Sequence, residues 1–166
     1  MYDELTEVDI KKMKEELEHR KLVLRPKLIE DVKTARGFGD LSENFEYKAA
    51  KQEKNRNDSR IRYLERMIRT AKVIEVHQDK DRAGLFDTVT VYYEDMDETQ
   101  DIRLVTTLRQ DSLKGLVSKE SPVGKAVMGA KEGDRVRVDL GADSYYITVR
   151  SIKKGQDDDT LDIRKY

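Results

Sequence analysis

Cysteine and tryptophan are absent from this 166-residue chain, and it contains only two prolines and three phenylalanines. Without cysteine the chain can form no disulfide, no thiolate metal site and no cysteine nucleophile, and a reducing compartment is expected. No apolar run approaches the roughly 18 residues that a membrane-spanning helix requires. The first residues, MYDELTEVDIKK, lack the basic and apolar regions of a signal peptide. We therefore expect a cytoplasmic protein.

Charged residues are what the chain has in excess. They make up 40% of the sequence, against roughly 25% in an ordinary globular protein, while hydrophobic residues make up 37%. The 33 Lys and Arg residues nearly balance the 34 Asp and Glu residues, which gives a net charge of -1. Such a balance is typical of helical surfaces with ion pairs and not of a polyelectrolyte tail. A single compact domain is therefore not expected.

The glycines and prolines divide the chain into two parts. Up to Ala83 only Pro26, Gly37 and Gly39 interrupt it, whereas Pro122 and the other seven glycines follow later. We predict a helical hairpin over residues 1–76, a linker over residues 77–84, an α+β domain over residues 85–154 and a polar, solvated tail over residues 155–166.

The first part has the apolar spacing of two long antiparallel helices. A heptad pattern runs from Tyr47 to Ala71, with polar residues at Lys54 and Asn57, where packing should be weak. Thr6 to Asp9 resembles a capping box, and Pro26 predicts a kink near Arg25. Two helices of about 30 residues would reach about 45 Å. The acidic start of the first helix would face the basic end of the second, so we expect ion pairs along the hairpin.

The turn between these helices, residues 36–47, allows two interpretations. Asp40 or Ser42 is a suitable N-cap for the second helix, and Asp40 with Glu43 fits a capping box. Alternatively, these two carboxylates, three residues apart, could approach one metal ion. Mg²⁺ takes about six ligands, so two carboxylates form an incomplete site unless another molecule supplies the rest.

Three segments of the chain carry a resemblance to a known family. They are GDLSENFEYKAAK at residues 39–51, preceded by Arg36, RIRYLERMIRTAKVIE at residues 60–75, and SPVGKAVMGAKEGDRVRV at residues 121–138. Together they closely resemble the GreA/GreB bacterial transcript-cleavage factors, nearest to the GreA branch, from about Leu5 to Lys154. The resemblance implies a two-domain α+β fold with a long N-terminal antiparallel coiled-coil hairpin and a small C-terminal FKBP-like, β-rich domain.

The resemblance also implies a function. Family members are transcription elongation factors that enter the secondary channel of bacterial RNA polymerase and stimulate its own cleavage of the nascent RNA 3′ end in backtracked or arrested complexes. The chain would then be no enzyme itself and would bind no cofactor stably, since Asp40 and Glu43 would assist a Mg²⁺ shared with the polymerase. Its partners would be the polymerase and the RNA, with no membrane, and we expect a monomer. Four tip residues would shape the tip or contact the polymerase: Arg36, Asn44, Glu46 and Tyr47.

Two further sets of residues are assigned to partners. Basic residues of the second helix could attract RNA phosphates, namely Lys48, Lys51, Arg56 and Arg60. By the resemblance, Asp111, Ser121 and Pro122 belong to the region that docks on the polymerase rim. Here the chain departs from the family, because Arg109-Gln110-Asp111 stands where an acidic stretch is usual.

The second part of the chain has the pattern of strands around one short helix. FKBP-like folds include prolyl isomerases, but that activity needs an aromatic-lined pocket and this part contains one phenylalanine, Phe86, so we do not expect it. The helix is predicted to begin at Ser121-Pro122 and to stop at Gly129. The predicted strands are Phe86–Tyr93, Gln100–Thr106, Arg135–Leu140 and Tyr145–Ile152.

Two other functions stay open at this stage. A channel-binding protein of the same family could modulate or inhibit the polymerase without promoting cleavage, and the altered segment 109–111 keeps this alternative open. A plain coiled-coil adaptor that dimerises through the hairpin is the second alternative.

Overall fold

A computed structural model of the chain describes residues 3–39, 44–76, 79–157 and 160–164. Contacts group the described residues of Ile10–Ala71 into one unit, called here the helical unit, and those of Glu4–Asp9 and Lys72–Tyr166 into a second, the sheet unit. No helix among the described residues is long and apolar enough to cross a bilayer.

Two helical arms run in opposite directions in the hairpin. The first arm comprises α1 (Glu7–His19), a π-helical segment (Arg20–Leu24) and α2 (Arg25–Arg36), and the second is α3 (Phe45–Thr70). The predicted capping box at the start of α1 is confirmed: the Thr6 amide donates to Asp9 Oδ2 at 3.0 Å and the Asp9 amide donates to Thr6 Oγ1 at 3.3 Å. These two reciprocal bonds satisfy amides that have no partner within the helix.

The irregularity predicted near Arg25 takes the form of the π-helical segment. The Arg25 amide donates to the Arg20 carbonyl five residues earlier. Pro26 has no amide hydrogen, and its ring crowds the carbonyl of the preceding turn, so a widened turn directly before it relieves the clash. The arm therefore passes Pro26 and remains helical to Arg36.

Polar side chains fill the middle of the interface between the two arms of the hairpin. Asn57 is 3% exposed, and it accepts a hydrogen bond from Arg20 Nη1 at 2.9 Å and donates to the Arg20 carbonyl at 3.2 Å. Arg60 forms an ion pair with Glu16 at 3.0 Å. The prediction of weak packing at Asn57 is therefore wrong, because a buried cluster of polar side chains that hydrogen-bond to one another replaces apolar contact there.

Ion pairs join the two arms as expected, but only one of the three pairs described here has its acid on the first arm. Glu16 and Arg60 pair as expected, an acid of the first arm with a base of the second. Lys21 with Glu65, and Arg25 with Asp58 at 3.6 Å, pair in the opposite sense. The Lys21 ammonium lowers the pKa of the Glu65 carboxyl through a direct hydrogen bond.

The sheet unit contains a short parallel pair, β1 (Glu4–Leu5) with β2 (Lys72–Val73), and a five-stranded sheet. The strands of that sheet are β3 (Thr88–Tyr93), β4 (Glu98–Val105), β5 (Leu116–Ser118), β6 (Arg135–Asp139) and β7 (Ser144–Lys153), in the order β5-β4-β3-β7-β6. All neighbours are antiparallel except β4 and β5, and a bulge interrupts the β3–β7 pairing at Thr90/Val91. One face packs Val89, Val91 and Ile147 against Val127 of the short helix. That helix is α4 (Pro122–Val127), and 3₁₀ turns lie at Thr107–Arg109 and Ser112–Lys114.

The predicted linker and tail differ from what the structure contains. Ala83, placed in the linker, is buried, and its amide donates to the Ala130 carbonyl at 2.8 Å. In the tail, Ile163 is buried and the Arg164 amide donates to the Leu108 carbonyl at 2.6 Å. The Asp157 side chain is only 10% exposed. The described tail residues therefore pack on the sheet unit, because the apolar side chains of Leu161 and Ile163 and the paired carboxylate of Asp157 offset the entropic cost of ordering the segment.

Candidate functional site at the hairpin tip

The first arm ends in a tight turn at the tip. The Gly37 amide donates to the Thr34 carbonyl at 3.1 Å, and the Phe38 amide donates to the Ala35 carbonyl at 3.1 Å. Gly39 follows with φ of 128°, a backbone conformation that side chains with a Cβ rarely adopt. The turn predicted at Gly37–Asp40 therefore begins directly after Arg36, and Gly39 is needed to form it.

Asn44 begins the second arm and ties it to the first. Its Oδ1 accepts the Tyr47 amide at 3.0 Å as the N-cap of α3, and its Nδ2 donates to the Ala35 carbonyl at 2.6 Å. The prediction of an N-cap at Asp40 or Ser42 is wrong, because α3 begins at Phe45. Asparagine is as good a cap as aspartate or serine, so the sequence contained this signal. With Asn44 as the cap, the structure does not require the Asp40 carboxylate for capping.

Asp40 and Glu43, the predicted metal-assisting pair, lie outside the described residues, as do Leu41 and Ser42. Their role stays a prediction. Among the described residues, no group of three or more His, Asp or Glu side chains could hold a metal ion.

Arg36 and Tyr47 meet across the tip. Arg36 Nη2 donates to Tyr47 Oη at 3.5 Å, and the guanidinium carbon lies 5.5 Å from the ring centre. Lys51 Nζ lies 6.0 Å from the same ring. The hydrogen bond from Arg36 and the charge of Lys51 lower the pKa of the Tyr47 hydroxyl. The structure thus brings together two of the predicted tip residues, whereas Glu46 points to solvent as an exposed residue of the first turn of α3.

The four basic residues assigned to RNA differ in exposure. Lys48, Lys51 and Arg56 are exposed, and Arg56 forms an ion pair with Glu53 at 3.2 Å. Arg60 is 5% exposed and pairs with Glu16. We therefore correct the prediction for Arg60, whose guanidinium stabilises the pairing of the two arms.

The sequence interpretation missed two aromatic side chains at the tip. Phe38 is 66% exposed and Phe45 is 79% exposed. A usable signal was present, because two of the three phenylalanines in the chain lie within residues 36–47.

Arg109, the departure from the family pattern, is a buried residue of the sheet unit. It is 1% exposed, its Nε donates to Asp9 Oδ1 at 2.6 Å, and its Nη1 donates to Asp157. The guanidinium carbon also lies 5.1 Å from the Phe86 ring centre. Burial alone would lower the pKa of Arg109, but the bond to Asp157 and the charge of Asp9 outweigh it and raise the pKa. The change at this position therefore concerns the interior and not an exposed docking surface.

The three residues assigned to docking sit at the starts of short helical turns. The Asp111 side chain accepts the Leu113 amide at 3.1 Å, and Ser121 Oγ accepts the Gly124 amide at 3.1 Å. Pro122 occupies the first position of α4, which confirms the predicted helix start.

Comparison with known proteins gives the family. The family model "Transcription elongation factor, N-terminal" matches residues 4–73, and "Transcription elongation factor, GreA/GreB, C-term" matches residues 78–154. The chain belongs to the GreA/GreB family of transcription elongation factors. The family resemblance predicted from the tip and from the segment at residues 121–138 is thereby confirmed.

Individual relatives agree with the family assignment. The "Transcription elongation factor GreA" of Thermoanaerobacter pseudethanolicus is 41% identical over 90% of this chain and 96% of its own length. That of Streptococcus gordonii is 38% identical over 90% and 94%. Among solved structures, the GreA factor homolog 1 (Gfh1) of Thermus thermophilus covers 93% of this chain and 100% of its own, with 23% identity and a TM-score of 0.43. Because that score is below 0.5, the fold assignment depends on the family models and on the elements described above.

Proposed function

We propose that this GreA/GreB family member inserts its helical hairpin into the secondary channel of bacterial RNA polymerase in the cytoplasm. There it stimulates the polymerase's own endonucleolytic cleavage of the nascent RNA 3′ end in backtracked or arrested complexes, so that elongation resumes. The observation that carries the proposal is the construction of the tip. Asn44 bonds to the Ala35 carbonyl and caps α3, and it therefore fixes the end of the first arm against the start of the second. Asp40 and Glu43 lie between these two points in the sequence.

The two carboxylates of the tip are the type of ligand that Mg²⁺ prefers, but they are too few to bind the ion by themselves. Asp40 and Glu43 supply carboxylate oxygens, which Mg²⁺ prefers, but two carboxylates leave most of its roughly six positions to other ligands. We therefore propose that the polymerase holds the ion, and that the ion activates the attacking water when it is bound. In that complex the chain's own contribution is to place negative oxygen acceptors beside that water. The chain is then an activator of the polymerase and no enzyme by itself.

The hairpin dimensions support access to a channel. The first arm spans 30 residues from Glu7 to Arg36, which corresponds to about 45 Å of helix. Two helices side by side form a rod that is narrow enough to enter a passage closed to a globular domain. Interlocked polar contacts such as that of Arg20 with Asn57 stiffen this rod.

The first prediction tests the tip carboxylates. Replacing Asp40→Asn together with Glu43→Gln removes two negative charges while the side-chain shapes stay similar. Cleavage of RNA in arrested complexes with Mg²⁺ should fall by roughly 100-fold or more, since electrostatic groups at a reacting centre contribute that much. Binding to the polymerase should change little.

A matched control is available on α2. Glu30→Gln with Asp31→Asn removes the same charge from exposed positions of the first arm, and this variant should cleave like the wild type. If the tip variant also cleaves at the wild-type rate, the assignment of Asp40 and Glu43 is wrong.

The cleavage-free modulator is the second candidate. Its main support was the altered segment at residues 109–111, and that support is weakened because Arg109 is buried within the sheet unit. The same assay separates the candidates: slowed elongation without release of short RNA would favour the modulator. Sedimentation of the free chain tests the coiled-coil adaptor, which requires a stable dimer.

A further inference from the structure

Two exposed phenylalanines distinguish the tip from the rest of the chain. Phe38 and Phe45 are 66% and 79% exposed, whereas the third phenylalanine, Phe86, is fully buried. Phenylalanine is usually an interior residue. Two such rings at one end of a charged rod therefore need an explanation beyond packing of the chain itself.

Both rings are attached to a fixed piece of backbone. The Ala35 carbonyl accepts the Phe38 amide at 3.1 Å and also accepts Asn44 Nδ2 at 2.6 Å. Phe45 follows Asn44 directly and is the first residue of α3. One carbonyl oxygen thus links the backbone positions that carry the two rings, which limits the entropic cost of binding through them.

Cations accompany the aromatic rings of α3 at the tip. Lys48 Nζ lies 5.7 Å from the Phe45 ring centre. Arg36 and Lys51 lie 5.5 and 6.0 Å from the Tyr47 ring centre. Proteins that bind single-stranded nucleic acid combine the same two groups: rings stack on bases and cations attract the phosphates. Phenylalanine, tyrosine and arginine are common at the core of protein–protein contacts, but lysine is depleted there. It is therefore Lys48 and Lys51 beside these rings that favour a phosphate-bearing strand over a pocket of the polymerase.

We propose that Phe45, whose backbone is linked to that of Phe38 through the Ala35 carbonyl, stacks on an unpaired base of the RNA strand extruded from an arrested complex. This inference rests on the proposed function, because that function brings the RNA 3′ segment to the tip. The stack holds the strand at the tip, and Lys48 attracts a neighbouring phosphate. Phe38 and Phe45 are positioning residues in this account, since they orient the RNA and take no part in the reaction.

The test uses the full chain and arrested RNA polymerase complexes that carry either ordinary RNA or RNA with abasic nucleotides in the extruded segment. Phe45→Leu keeps an apolar side chain but removes the ring, and Phe45→Trp keeps a ring. Leu22→Ala is the control, because Leu22 is 68% exposed on the first arm away from the turn. Two quantities are measured for each variant: the concentration of labelled chain that half-saturates the complex, and the cleavage rate at saturation.

On ordinary RNA, Phe45→Leu should raise the half-saturating concentration by about tenfold, the effect of losing one base stack. The tryptophan variant and the Leu22 control should stay near the wild type. On abasic RNA the wild type itself should weaken, and Phe45→Leu should cause no further loss.

Two results would overturn the inference. An unchanged half-saturating concentration for Phe45→Leu would show that the ring binds nothing, and an equal loss on both RNAs would show that the ring contacts the polymerase. A wild-type chain that binds but does not stimulate cleavage would refute the proposed function instead. The comparison of half-saturating concentrations would still decide whether the ring stacks on RNA.

Discussion

Among single residues, Asn44 shows how one side chain can join the two arms at the hairpin tip. Its two ends perform different tasks, since Oδ1 caps α3 and Nδ2 bonds the Ala35 carbonyl of the other arm. An aspartate at this position could accept but could not donate. The amide side chain is therefore required for the link between the arms and not only for the cap.

Substitution of Asn44 should separate these two tasks. Asn44→Ala removes the cap, which typically costs about 1 kcal/mol, so the Tyr47 amide should exchange its hydrogen faster. Asn44→Asp should keep that amide protected because the acceptor remains, yet it should lower cleavage because the arms are no longer tied together. Hydrogen exchange and the arrested-complex assay measure the two effects. Equal behaviour of the two variants in both measurements would contradict this division of roles.

Arg109 is the residue whose environment the sequence could not indicate. It lies 100 positions from Asp9 and 48 from Asp157, and no local pattern predicts that these three side chains meet. Its position in a segment where the family usually carries acids suggested an altered docking surface. The chain instead uses the guanidinium to neutralise two carboxylates, one fully buried and one largely so.

Arg109→Met should destabilise the sheet unit strongly. It would leave buried carboxylates without a cation, a change that costs about 3–5 kcal/mol. Arg137→Met is the matched control, because Arg137 is exposed on β6 and a surface substitution should stay within about 0.5 kcal/mol. Urea unfolding followed in the sheet unit measures both, and equal midpoints would show that the buried cluster contributes nothing.

At the scale of elements, the helical hairpin was the most predictable part. The 3-4 spacing of apolar residues and the scarcity of glycine predicted both arms, and Pro26 predicted the place of the irregularity. The start of α3 was misplaced because Asp40, Ser42 and Asn44 are all good caps, and propensity alone does not rank them. Strand β5 was missed because three residues are too few for a periodic signal, and its pairing with β4 is parallel and non-local.

The polar cluster within the hairpin gives an element-scale prediction. Asn57→Ala removes both hydrogen bonds to Arg20 and leaves part-buried polar groups unpaired, which should cost about 1–3 kcal/mol. Asn55→Ala makes the same chemical change two residues away at an exposed position. Thermal unfolding of the helical signal should therefore shift clearly for the first variant and little for the second. Similar shifts of the unfolding temperature in the two variants would mean that the pairing of the two arms does not depend on this cluster.

At the scale of the whole molecule, charge serves several purposes. Pairs such as Glu16 with Arg60 join the two arms, and Arg109 neutralises the interior of the sheet unit. The proposed function assigns the exposed Lys48 and Lys51 to the RNA, and Asp40 and Glu43 to the polymerase active centre. The family assignment was predictable from the tip segment and the segment at residues 121–138. The link from Asn44 to the other arm and the packed tail became apparent only in three dimensions.

The proposed function depends above all on the release of short 3′ RNA fragments from arrested RNA polymerase complexes in the presence of Mg²⁺. We expect the wild-type chain to accelerate this release and the chain with Asp40→Asn and Glu43→Gln not to do so, although both bind the polymerase equally. Equal acceleration by the two chains, or binding of the wild type without any release, would contradict it.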